Sequence, residues 1–358
     1  MGKIILPHQS YAFDDIKGGN WAESEPYFAD SLRFCQDWLC GQTSFELKTS
    51  GSTGTPKTIR VQRTQMEVSA RATLGFFQIA AHARLLCCLN TAMVAGKMML
   101  VRGMLWDADI YLVNPTADPF SDNKLPQRFD FVAMVPLQVE TCLNNPKGLQ
   151  KLQGIKHLLI GGAGLSPTLF DKIKEQKLNA YQSFGMTETV SHFALAKIEG
   201  ENLLYRTLPG VKIGTDDSGK LWVKAPMAIE PLLQTNDLVE MVDEDSFFWK
   251  GRADFTINSG GVKIQPEILE SQIQPYIQSV IGEISFFIGG KDDARLGQKT
   301  VLVLETDQIS DSQTESLLSL FQRNIPKYQL PKEIFCLREF VRTSSGKINR
   351  VKTLEKTL

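Results

Sequence analysis

Histidine is scarce in this chain, four in 358 residues, and the six cysteines (Cys35, Cys40, Cys87, Cys88, Cys142, Cys336) include no C-x-x-C pair. A structural zinc needs four closely spaced ligands of these types, so none is expected. The charges nearly cancel, 39 basic residues against 40 acidic. That balance excludes the electrostatic footprint of a nucleic-acid binder and a polybasic membrane anchor, and leaves small molecules as the expected partners. No run approaches the roughly 20 apolar residues of a membrane span. The opening MGKIILPHQSYAFDD puts a proline and two aspartates where a signal peptide needs an unbroken apolar stretch. These absences predict a soluble protein of the reducing cytoplasm. Internal repeats and low-complexity tracts are also missing.

What is present is ordinary globular composition, 42% hydrophobic, in a chain long enough for two domains. Short apolar runs alternate with longer helical patterns, the α/β signature. RFDFVAMVP (128–136) and IKHLLIGGAG (155–164) read as buried strands running into Pro- or Gly-marked turns, and LSPTLFDKIKEQ (165–176) as a helix. KIGTDDSGKLWVKAP (212–226) reads as two strands joined by a turn at Asp217, Ser218 and Gly219. The last hundred residues predict a small α+β unit: a strand at Val262–Ile264, a helix from Pro266, strands near 283–289 and 299–305, a helix near 311–323 and a strand at 333–337. The stretch GRADFTINSGG (251–261), rich in glycine and small polar residues, is the expected linker.

Residues 49–57 read TSGSTGTPK. Gly51 and Gly54 let the backbone turn its N–H groups toward a ligand, Thr49, Ser50, Ser52 and Thr53 supply hydroxyls, and Lys57 adds a point charge, a combination suited to polyphosphate. It is not a Walker A loop, because Pro56 stands where that pattern has the glycine before its lysine. Phe45 and Leu47 before it, and Ile59 and Val61 after it, alternate with polar residues, so the loop is expected to join two strands.

The order of those nine residues resembles the phosphate loop of the adenylate-forming superfamily of acyl-CoA synthetases, luciferase and peptide-synthetase adenylation domains, and further motifs of that family follow in sequence. SFGMTET (183–189) resembles its aromatic-Gly-x-Thr-Glu core, which implies Phe184 on adenine, Thr187 at the α-phosphate and Glu188 on Mg²⁺. GGAGL (161–165) resembles the strand-end loop beside the base, implying contacts from Gly162, Ala163 and Gly164. TNDLVEM (235–241) resembles the T-G-D motif, giving Asp237 the ribose hydroxyls; Asn236 replaces the glycine and is expected to hold the same turn through its tolerance of positive φ. GRADFTINSGGVKIQPEILE (251–270) resembles the hinge and its sequel, implying Arg252 on ribose or phosphate, Asp254 as pivot, and Gly260 and Gly261 beside the pantetheine channel. RTSSGKINR (342–350) resembles the C-terminal motif with the catalytic lysine, here Lys347. Alone, several of these have plainer readings: a Thr-Glu pair commonly caps a helix, and a Gly-Gly after a strand is commonly only a turn.

The resemblance implies a large, shortened N-terminal α/β adenylation domain (1–252) and a small mobile α+β C-terminal domain (253–358). It implies an AMP-forming acid–CoA ligase that takes ATP, Mg²⁺ and coenzyme A with a small carboxylic acid. A homodimer is compatible with the sequence. Only 48 residues precede the phosphate loop, where most of the family carries far more; such short forms, and GMTETVSH (185–192), are similar to the o-succinylbenzoate–CoA ligases of menaquinone synthesis. By that similarity Thr189, Ser191 and His192 would line the acyl pocket, with Met93 of LNTAMVAG (89–96) where relatives carry a gate. His192 reads equally well as a packed core residue. An adenylating enzyme that loads a carrier protein would share every nucleotide residue. A nucleotide-binding regulator would have no need of Lys57, Glu188, Asp237, Arg252 and Lys347 together, and a P-loop kinase is opposed by Pro56.

Overall fold

The computed structural model describes residues 2–48, 58–121, 124–343 and 348–357. Among these, thirteen strands form one sheet, five a second, and the hairpin Ser44–Lys48/Thr58–Gln62 stands apart as a two-stranded ribbon. That ribbon is the strand pair expected on either side of the phosphate loop.

The middle of the large sheet is parallel. Ala180–Gly185, Ile155–Ile160, Phe129–Met134, Arg84–Cys87, Asp109–Leu112 and Lys3–Ile5 lie side by side in that order. Parallel neighbours require crossovers, and helices such as Val94–Leu105 and Pro167–Glu175 supply them. The strands read as unbroken apolar runs because both faces are covered. Alternate residues accordingly enter different cores: Leu85, Cys87, Phe131, Ala133 and Leu159 one, Leu86, Val132, Met134, Leu158 and Ile160 the other. Past Ala180–Gly185 the sheet turns antiparallel, through His192–Lys197 and Leu204–Thr207 to Ser246–Arg252, Leu233–Met241 and the hairpin Lys220–Lys224/Lys212–Thr215.

The second sheet begins at Ile257. Its order is Val262–Ile264, Ile257–Ser259, Gly297–Glu305, Phe286–Asp293, with Glu333–Leu337 parallel to Gly297–Glu305. Helices Pro266–Val280 and Asp311–Asn324 bury Ile273 and Phe321 against Ile288, Leu302 and Leu304; Phe340 packs with Phe287, Val301 and Val303. Among the described residues, no buried apolar cluster mixes residues from before 248 with residues from after 256.

Three local points differ from or refine the expectations. The stretch 251–261, the expected linker, carries regular structure: Gly251 and Arg252 finish one strand, Ala253–Phe255 makes a single 3-10 turn, and Ile257–Ser259 is already a strand of the second sheet. Its glycines serve geometry at particular points, Gly260 (φ +59°) and Gly261 (φ +84°) forming the turn into Val262–Ile264. Asn236 does not use its tolerance of positive φ, because it sits inside the strand Leu233–Met241. The strand near 283–289 is also displaced, to Phe286–Asp293.

Candidate active site

The expected site residues cluster at the C-terminal ends of the parallel strands and along the antiparallel strands that follow. Strand Ala180–Gly185 ends in the motif SFGMTET. Phe184, half-buried, meets Phe193, Tyr205 and Phe247 edge-on at centroid distances of 5.6, 5.1 and 5.3 Å, contacts that fix the plane of its ring. Thr187 and Glu188 open a 3-10 turn, Thr187–Thr189, and both are partly exposed.

The residues after that turn are strained. Val190 is β-branched yet has φ +64° and ψ −40°, and Ser191 N–H donates to Thr189 O at 2.6 Å across it, a γ-turn of the rare, costly hand. The fully buried Thr189 hydroxyl lies 2.9 Å from Met186 O and 2.7 Å from Ser191 O, and accepts from Met186 N–H at 3.1 Å. Thr189, expected along the acyl pocket, thus spends its hydroxyl on the backbone and holds the strained turn shut.

That turn presents Ser191 and His192 to an arginine the sequence reading passed over. Arg102, on helix Val94–Leu105, is 2% exposed. Its Nη2 donates to Ser191 Oγ at 2.9 Å and lies 3.5 Å from His192 Nδ1, its guanidinium sits 5.9 Å from the Phe131 ring centroid, and its Nε has no partner. Among the described residues no carboxylate pairs with it. Burial pulls its pKa down to about 10, which still leaves it cationic at neutral pH. A guanidinium has only donors, so His192 Nδ1 facing it must accept. The proton therefore sits on Nε2, which donates to Thr73 Oγ1 at 3.2 Å, and Thr73 donates on to Ser69 O at 3.0 Å. Burial first, and then the Arg102 charge, hold His192 neutral, its pKa well below the ordinary imidazole value. In the sequence Arg102 stands out as the one charge in the apolar run MMLVRGMLW (98–106). Met93 is the N-cap of the same helix and half-buried.

Gly162 follows strand Ile155–Ile160 in the left-handed region, φ +84°. The loop is fastened by Gln182, whose Nε2 donates to Ala163 O at 2.9 Å while its buried Oε1 has no partner. Gly164 has open space around it. No sequence motif marked Gln182.

Asp237 is buried, receives Trp249 Nε1–H at 3.0 Å and lies 3.8 Å from Arg252. Burial raises its carboxyl above the usual range against the pull of Trp249 and Arg252. Arg252 grips Asp254 with two parallel bonds of 2.9 Å, from Nε and Nη2. Asp237, Arg252 and Asp254 therefore form one charge cluster where the large sheet passes into the small one. Gly260 and Gly261 are exposed at their turn. Thr49, Ser50, Gly51, Ser52, Thr53, Gly54, Lys57 and Lys347 lie outside the described residues.

For a metal, the described residues contain no group of three or more His, Cys, Asp or Glu that could cage an ion. A lone partly exposed carboxylate such as Glu188 fits Mg²⁺, which keeps most of its waters and is commonly held by one carboxylate plus substrate phosphates.

Comparison with known proteins agrees with this geometry. The sequence pattern of the AMP-binding enzyme family matches residues 46–221. The chain is 38% identical to an acyl-CoA synthetase (AMP-forming)/AMP-acid ligase II-like protein from Dyadobacter fermentans, covering 96% of this chain and 97% of that one, with a TM-score of 0.64. It is 24% identical to the 2-succinylbenzoate–CoA ligase of Listeria monocytogenes, over 96% of this chain and 77% of that protein. The o-succinylbenzoate coenzyme A synthetase of Bacillus subtilis, solved with ATP and magnesium ion, shares the fold at a TM-score of 0.69 and 19% identity, covering 86% of this chain and 69% of that one. No helix among the described residues is long and apolar enough to cross a membrane.

Proposed function

This chain belongs to the AMP-binding enzyme family, and on that premise we propose that it activates o-succinylbenzoate with ATP and passes the acyl group to coenzyme A. The observation that carries the choice of acid is Arg102, a buried cation beside Ser191 and His192 with no carboxylate partner among the described residues. An uncompensated interior charge is costly unless an anion reaches it. An acid with two carboxylates supplies one: the first reacts, and the second neutralises Arg102. The relatives that are 2-succinylbenzoate–CoA ligases support the same reading.

In the first half-reaction the acid's carboxylate attacks the α-phosphorus of ATP and pyrophosphate leaves. Phe184 and the Gly162–Gly164 loop hold the base, Asp237 the ribose hydroxyls, Arg252 ribose or phosphate, and Thr187 the α-phosphate. Glu188 would hold Mg²⁺, which when bound offsets phosphate charge. Lys57 and Lys347 add cationic stabilisation where negative charge builds. In the second half-reaction the domain formed by 253–358 swings about Asp254, withdraws Lys347 and brings Gly260 and Gly261 to the thiol's path. The thiolate attacks the acyl carbon and AMP leaves. One pivot then serves both steps.

The test is acid-dependent conversion of ATP to AMP and pyrophosphate with CoA present, across o-succinylbenzoate, benzoate derivatives and short and medium fatty acids. Preference for o-succinylbenzoate with a thioester product is the expected result. AMP formation with another acid would keep the reaction and discard the substrate; ADP or no turnover would discard both.

A further inference from the structure

We infer that the N-terminal helix Pro26–Leu39 is a supporting wall of the acid site, with Tyr27 and Ser31 as positioning residues for the loop that carries Met93. This rests on the ligase reading above.

Tyr27 and Ser31 stand four apart, on one face of that helix. Tyr27 Oη donates to Leu89 O at 2.9 Å, and Ser31 Oγ lies 2.7 Å from Thr91 Oγ1 in a buried contact. Ser31 also donates to Tyr27 O at 2.8 Å, and it has one hydroxyl proton. Thr91 is therefore the donor in the Ser31–Thr91 bond, so the loop depends on the helix for an acceptor. Both contacts join residues some sixty positions apart. They fall immediately before Met93, the cap of helix Val94–Leu105.

The rest of the packing leads the same way. Phe28, Leu32 and Cys35 share a buried cluster with Leu89, Met99 and Leu100, and Trp38 shares another with Met98 and Val101. Met98 to Val101 precede Arg102 on one helix, so the N-terminal helix seats the element that carries the anion-seeking guanidinium. Gly96 closes the arrangement: a Cβ there would stand 2.4 Å from Asn90 O and 2.7 Å from Thr91 Cα. The loop can thus lie tight on the first helical turn only with glycine at that place. Phe184 packs against the far side of the same large cluster, but the hydrogen bonds of Tyr27 and Ser31 end on Leu89 and Thr91, so the effect of losing them falls on the acid and not on the nucleotide.

The experiment is steady-state AMP formation by the full-length protein and its Tyr27→Phe, Thr91→Val and Thr91→Ser variants, with o-succinylbenzoate and ATP varied separately and Tm recorded. Tyr27→Phe and Thr91→Val should raise KM for o-succinylbenzoate about tenfold, the size of one lost hydrogen bond. KM for ATP should stay within about twofold, and Thr91→Ser, which keeps the hydroxyl, should behave as wild type. An unchanged KM for the acid, or equal rises in both KM values with falling Tm, would reduce these contacts to general packing and overturn the inference. Absence of acid-dependent AMP from the wild-type protein is a different result, which defeats the ligase reading and takes this inference with it.

Discussion

Arg102 Nη2 meets Ser191 Oγ at 2.9 Å across 89 positions of sequence, and through that bond a buried helix is tied to the strained turn after Glu188. The turn cannot relax without moving the cation, and the cation has no acidic partner among the described residues to hold it otherwise. Charge and strain are therefore concentrated at one contact.

Arg102→Met keeps the length of the side chain and removes the charge. Because an unpaired interior charge is costly, the variant should unfold at a higher Tm than wild type. Its kcat/KM for o-succinylbenzoate should fall by about tenfold to a hundredfold, the range for a lost charge-assisted hydrogen bond. KM for ATP should not move. A variant that keeps full activity on the acid would sever Arg102 from substrate recognition.

His192 is held neutral in the folded protein, so the unfolded chain binds one more proton below its ordinary pKa of about 6.5. Stability from this group is complete above that value and declines as pH falls below it, by up to about 1.4 kcal/mol per pH unit. His192→Gln should flatten that part of a denaturation curve measured between pH 7 and 5. The same slope in both proteins would show that His192 takes up a proton in place.

Gly96→Ala adds one methyl where the nearest backbone atom is 2.4 Å away. The loop must shift, at a cost of about 1–3 kcal/mol read by urea denaturation, and KM for the acid should rise with it. Stability equal to wild type would mean that the loop has slack.

Asp237→Ala removes the buried carboxylate that Trp249 and Arg252 hold in place. KM for ATP should increase about tenfold to a hundredfold, with KM for the acid little changed. Isothermal titration with AMP checks it without turnover. Undiminished AMP affinity would remove Asp237 from the nucleotide site.

The two half-reactions separate the remaining residues. Lys347→Ala should abolish adenylation and spare thioester formation from supplied acyl-adenylate, whereas Asp254→Pro, which freezes the pivot, should harm the thioester step more. Equal loss of both steps in either variant would count against alternation about Asp254.

Much of this was legible in the sequence because it is written in local pattern. Apolar runs such as FDFVAM and HLLI announced buried parallel strands, and Glu333–Leu337 appeared as a strand where expected. What was not legible depends on distant partners. Arg102 shows in the sequence as one charge in an apolar run, but its partners Met99, Phe131 and His192 emerge only when the fold surrounds it. Gln182 is one polar residue in a strand until its amide is seen reaching Ala163. The small residues of 251–261 read as a linker, and what the sequence did not show is that pairing with later strands orders part of it. Thr189 could not be separated from Ser191 by sequence, since only the γ-turn turns one hydroxyl inward to the backbone and the other toward Arg102.

The first strand, Lys3–Ile5, pairs in parallel with Asp109–Leu112, and the first long helix waits on Leu89 and Thr91. The antiparallel partner of Lys3–Ile5, Ser10–Ala12, is close in sequence, but its parallel partner lies more than a hundred residues along the chain. Contacts of such long range are closed late and slowly. Until residues 89–101 are made, Phe28, Leu32 and Trp38 lack the partners on the Arg102 helix that they have in the fold, so the first long helix is secured only after that segment is in place.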